Sequence, residues 1–359
     1  MSPGMELLGK RGAHPSGAVR AVAACVTALA IVFLTLIPVR AADRTSSTSA
    51  ASADGGAGVY RLYGGFDGLP GVQNAETRDL WMKALRLEAE NDLLGSAAAY
   101  EDVVRKVPED SYGYWRISRN YYRYGDELPA ASREEKIKYL TLGAEWSGRG
   151  LEVDPECGEC CLYRFSSMAT LATTRGLWTA MRKAKEMSML LDRGIELRPT
   201  HADNEWNTTL GNLYYAASHF YRITPEWFWL KWLIGYRGDH ERALAYAREA
   251  HQISPMRVDY HVTLGAALLC DGTEKGDSAL VTEGVDVLSR IDSLQTLRGH
   301  DPVFRDHARA LVENPESACT YSPDGQIDVK GALARGQRAL DDEETRSAKR
   351  RRGTGGNVH

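Results

Sequence analysis

The pattern of apolar and polar positions divides the chain into four stretches. Ala21 to Val39 holds no charged residue, and Lys10, Arg11 and Arg20 stand before it. These 19 residues would make a helix of about 28 Å, close to the thickness of one hydrocarbon core. Val39, Arg40 and Ala41 offer a small-x-small cleavage site. Residues 1–41 therefore read as a secretory signal peptide or a membrane anchor, with the bulk of the chain exported. Residues 42–58 are rich in Ser, Ala, Thr and Gly and hold no large apolar residue, which predicts a flexible linker. From 59 to 340 apolar residues recur at helical spacing and strand alternation is nearly absent, so the class is all-α. Residues 341–359 run from acidic through Lys349-Arg350-Arg351-Arg352 to small and polar, the composition of a disordered, solvated tail.

Within the helical stretch the chain repeats itself. Leu210-Gly211-Asn212-Leu213-Tyr214 and Leu264-Gly265-Ala266-Ala267-Leu268 align without gaps at an offset of 54. Leu-Gly followed by a large residue is the first-helix pattern of a tetratricopeptide repeat. Glycine there lets the partner helix approach closely. Ala243, Ala247 and Ala250 before Pro255 match the small positions of a second helix, which the proline ends. Pro108, Pro155 and Pro199 mark similar ends, and the spacings of the four prolines, 47, 44 and 56 residues, exceed the repeat's usual length of about 34. The excess is expected as insertions inside the units, such as Gly125–Arg133 and Ser218–Arg237. The pattern predicts five helix pairs, at Thr77–Pro108, Ser111–Pro155, Cys157–Pro199, Ala202–Pro255 and Arg257–Leu294, and a closing helix near Pro302–Val312. The third fits least, because Arg164 and Phe165 occupy its Leu-Gly positions.

Charge and chemistry narrow the function. Lys and Arg number 44 against 48 Asp and Glu, a net charge of −4, unlike the basic excess of a nucleic-acid binder. There is no nucleophile elbow, no phosphate loop and no metal spacing such as His-Glu-x-x-His, so neither catalysis, cofactor nor metal is expected. The Ser218–Arg237 insertion concentrates aromatic residues, including Trp227, Phe228, Trp229, Trp232 and Tyr236. They form a recognition surface for a protein or a hydrophobic small molecule, or else fold back over their own repeat as core. In an exported chain, Cys157, Cys160, Cys161, Cys270 and Cys319 are disulfide candidates. Cys157 and Cys160, near a helix N-terminus, also allow a thiol-redox reading. Membrane association would run through residues 21–39 if the segment stays uncleaved.

The lengthened units, the aromatic segment from Pro225 to Trp232 and the Ala-rich helix ending at Pro255 resemble the T-component (TatT-like) proteins of tripartite ATP-independent periplasmic (TRAP) transporters. The resemblance implies an extracytoplasmic helical-repeat scaffold whose partner is the transporter's solute-binding component. The stretch from Thr77 to Leu294 also resembles the regulators of microtubule dynamics, which implies a membrane-anchored tetratricopeptide adaptor. Neither resemblance supplies a catalytic residue.

Overall fold

The computed structural model describes residues 75–323, apart from 176, 225, 227–231, 233 and 234. The apolar N-terminal segment, the linker and the basic tail lie outside the described residues. Among the described residues, no helix is long and apolar enough to cross a membrane.

Among those residues, eleven α-helices form five antiparallel pairs and a closing helix. The pairs are α1 (Ala75–Ala89) with α2 (Leu93–Lys106), α3 (Ser111–Glu127) with α4 (Arg133–Val153), and α5 (Gly158–Arg175) with α6 (Leu177–Glu196). They continue as α7 (Thr209–Ile223) with α8 (His240–Ile253) and α9 (Val258–Lys275) with α10 (Ser278–Ser289); α11 (Asp301–Glu313) closes the array. The ends follow local chemistry. Asp92, Asp110, Thr208, Asp239 and Asp277 cap the N-termini of α2, α3, α7, α8 and α10 by accepting from backbone N–H groups of the first turn. Pro108, Pro155, Pro199 and Pro255 stand two or three residues past the ends of α2, α4, α6 and α8. α9 stops at Gly276, whose φ of 68° is the left-handed conformation that favours glycine at a helix end.

The extra length of the units lies largely elsewhere than expected. The predicted insertion at Gly125–Arg133 shrinks to a short turn, because α3 runs on to Glu127 and α4 begins at Arg133. The excess is inside the helices: α3 to α6 have 17, 21, 18 and 20 residues. Among the described residues, the fourth unit has its two helices farthest apart in sequence, α7 ending at Ile223 and α8 beginning at His240.

Glycine marks the close crossings. A Cβ on Gly265 would lie 2.4 Å from Leu288 Cγ on α10. Gly211 is crowded by its own cap Thr208, by Tyr260 of the next unit and by Ile253 of α8. In the third unit, whose first helix lacks the glycine, the small residues move to the preceding α4. There Gly143 faces Ser167 and Gly150 faces Cys160, while Phe165 fills the core against Phe220.

First helices of successive units touch, α3 on α5, α5 on α7 and α7 on α9, whereas second helices of successive units pack on one another far less. The row of first helices is therefore the inner, concave side. A two-stranded hairpin absent from the all-α expectation, β1 (Ala202–Asn204) and β2 (Asn207–Thr208), precedes α7.

Candidate functional site

The inner face is the usual working surface of such an array, and here the chain covers much of it with its own segments. In the first half, Tyr112, Arg116, Arg119 and Arg123 recur at i, i+4, i+7 and i+11 on one face of α3. Glu88 at the end of α1 meets three of them: Arg116 at 3.3 Å, Arg119 at 3.4 Å and Arg123 at 3.8 Å. Arg116 is buried, and its guanidinium lies over the Trp115 ring, 4.6 Å from its centroid. Burial alone would raise the Glu88 carboxyl; the three arginines outweigh it and hold the group below the usual carboxylate range.

The hairpin seats on this arginine row. Asp203 accepts two bonds from Arg119, at 2.9 and 2.7 Å, the bidentate form that fixes orientation as well as charge. Burial pushes Asp203 up, but His201 and Arg119 prevail and keep it well below its ordinary value. His201 packs on Trp115, which stacks on Tyr163 of α5. A polar chain then leads onward: Asn207 donates to Asp203, Asn212 of α7 donates to Asn207, and Arg257 donates to Asn212.

The second half is closed by the segment after α11. Cys270 on α9 is bonded to Cys319. The fully buried Arg222 of α7 donates to the carbonyls of Ala318 and Tyr321 and to His219 Nδ1. It meets no carboxylate among the described residues, and burial pushes its guanidinium down to about 10. His219 is held neutral: Nδ1 accepts from Arg222, so Nε2 carries the proton and donates to Thr263 at 2.9 Å. Burial, then the Arg222 charge, lower its pKa well below the ordinary value.

The sequence-predicted aromatic residues separate. Trp232 is 88% exposed. Tyr236 is not a surface residue: it is buried, its ring 4.9 Å from that of Phe220, and its hydroxyl donates to the Phe220 carbonyl. The connection returns to the array at that point and needs an apolar anchor on α7. Trp227, Phe228 and Trp229 lie outside the described residues. Among the cysteines, Cys157 is bonded to Cys160. Of the five candidates, an odd number that leaves one without a bridge, Cys161 is the free one: a buried thiol against Gly194 of α6, pushed up to about 11 by burial. One helical position after Cys160 points it to the other side of α5. Cys157 and Cys160 are themselves buried. On the outer side, a cleft of about 420 Å³ opens between α4, α5 and α6, lined by Arg149, Arg164, Met168, Leu171 and Glu186 among others.

Sequence reading missed Arg116, Arg222 and Asp203. The recurrence of arginine at three and then four residues on α3 was the available signal for the first. A single arginine on α7 gives none.

Paired helices stacked with a lined inner face define a tetratricopeptide-like helical array. The chain belongs to the family described as Regulator of microtubule dynamics protein 1-3, whose sequence model matches residues 82–314. No curated protein sequence matches it. Similar solved structures include the MamA protein, at 13% identity over 62% of this chain and 97% of that one, with a TM-score of 0.38. Another is a thermophilic TPR protein of Thermus thermophilus, at 10% identity over 65% of this chain and 98% of that one, with a TM-score of 0.41.

Proposed function

We propose that the chain is an exported, non-enzymatic scaffold that binds a protein partner through the connection between α7 and α8. The observation that carries this reading is Trp232, 88% exposed in a connection that pair stacking does not require. Tryptophan is among the residue types most enriched at the hot spots of protein interfaces, where a partner covers it. The two disulfides support an oxidising compartment. They also favour export over a cytoplasmic filament as the partner, although the family's description concerns microtubule dynamics. The resemblance to the TRAP T-components supports a narrower form, in which the partner is a solute-binding component.

A photo-crosslinking residue placed at position 232 tests the reading in intact cells. Met189, 60% exposed on α6, is the control position. A discrete crosslinked protein from 232 and none from 189 is expected. Crosslinks to lipid alone from 232, or the same products from both positions, would overturn it.

A further inference from the structure

The long connection delivers His240 as the first residue of α8, buried at 5% exposure. Both ring nitrogens are engaged. Nε2 lies 3.0 Å from the Arg222 carbonyl oxygen, and Nδ1 lies 2.6 Å from Oε2 of Glu274 near the end of α9. Oε1 of Glu226 lies 4.0 Å from the same Nδ1 and accepts from the His240 backbone N–H at 2.5 Å. A carbonyl only accepts, so Nε2 must carry a proton. Nδ1, which meets Glu274 through a proton in this form, converges with two carboxylates, a nitrogen and oxygen donor set that a divalent cation takes in place of that proton.

We propose that Glu226, His240 and Glu274 form a divalent-cation site of the zinc type. The ligand atoms already lie within 4.8 Å of one another. A zinc ion, with bonds of about 2.0–2.2 Å to nitrogen and oxygen, needs them somewhat closer. The two carboxylates supply the movement, because their side chains are 44% and 50% exposed. The imidazole supplies the fixed point, with Nε2–H held by a backbone carbonyl as in the outer shell of histidine metal sites. One nitrogen and two carboxylates suit zinc better than the oxygen-only sets of magnesium or calcium. The nearby cation, Lys275, is paired with Asp271 at 3.0 Å. The ligands come from the connection, α8 and α9, at sequence separations of 14 and 34 residues, which no short motif reveals. An ion there would tie the root of the Trp232 connection to the last unit.

Zinc titrated calorimetrically into the metal-free, oxidised, tag-free chain tests this, with magnesium as control. One zinc per chain is expected, and magnesium should give no comparable heat. Glu226→Gln and Glu274→Gln should each weaken zinc about tenfold or more while leaving the metal-free chain folded, since glutamine still accepts from His240. His240→Gln should abolish binding; if it does not fold, the two exposed-side variants carry the test. No saturable zinc binding below about 1 mM would overturn the site. So would undiminished binding in the Glu226→Gln, Glu274→Gln double variant, which would move the ion to His251 and His261, whose Nε2 atoms are 3.2 Å apart. Binding that appears only after reduction and vanishes in Cys270→Ser would also overturn it.

Discussion

The two halves of the array cover the same inner face in opposite ways. Units one to three do so with charge against charge: Glu88 among three arginines, and Asp203 of the hairpin on Arg119. Units four and five do so with a covalent bond and a cation that, among the described residues, meets carbonyls, a neutral histidine and the face of Tyr321 but no carboxylate: Cys270–Cys319, Arg222 and His219. A charge pair orients a segment but leaves each partner dependent on the other. A disulfide holds the segment whatever its charges do. The first closure is thus vulnerable to loss of one carboxylate, and the second to reduction and to protonation.

The largest effect should come from Glu88→Ala, which takes the shared carboxylate away from the buried Arg116 and from Arg119 and Arg123. A loss of about 3–5 kcal/mol is expected, measured by denaturant unfolding; a loss below about 1 kcal/mol would show that the row does not depend on its central anion. Next come the disulfides. Cys319 closes a separation of 49 residues and Cys157 one of 3. Chain-entropy reasoning assigns about 4 kcal/mol to the long loop and about 2 to the short one. Cys319→Ser should therefore lower the unfolding midpoint more than Cys157→Ser; the reverse order would break the contrast.

Packing gives smaller effects. Gly265→Leu and Gly150→Leu should each cost about 1–3 kcal/mol by overpacking. Gly150 should cost more although its contacts are longer, because a new Cβ would meet the Cys160 sulfur at 2.7 Å and the Tyr114 Cβ at 3.0 Å, and a bonded sulfur and a Cβ yield less than the unbridged Leu288 side chain. Equal melting midpoints for the two variants would show that the disulfide does not stiffen that crossing.

Acid should separate the halves. Burial, followed by His261, brings His251 down to about 4, and burial lowers His219, His261 and His307. All four belong to units four and five or to α11. Their neutral forms contribute stability that is complete above the unfolded histidine value, about 6.5, and lost as pH falls from there toward the folded values. Glu88 and Asp203 act lower: their depressed values contribute stability that is lost only as pH falls below the ordinary carboxylate range, about 4. Hydrogen exchange at about pH 5, between those two reference values, should open 209–321 before 75–196. Uniform opening would contradict the division.

Much of this fold is legible in the residues because its signals are local. Leu-Gly pairs, alanines at helical spacing and prolines two or three residues past the helix ends each act within one unit, and the five pairs follow from them. The two closures are not local. Asp203 meets Arg119 across 84 residues, and Arg222 meets Ala318 across 96. Neither the short hairpin nor the 3₁₀ turn at Pro315–Ser317 has a period to detect. The aromatic insertion was visible as composition. Its division into an anchor, Tyr236, and an exposed residue, Trp232, depends on where the chain rejoins α7, which composition does not carry.

The central claim is that this connection recognises a partner and does not hold the array together. Trp232→Ala tests it most directly, with the melting midpoint and the affinity for the crosslinked partner measured on the same preparation. The account predicts an unchanged midpoint and an affinity lower by about 2 kcal/mol, roughly thirtyfold. A midpoint lowered as for a core tryptophan, by about 3–5 kcal/mol, or an unchanged affinity, would contradict it.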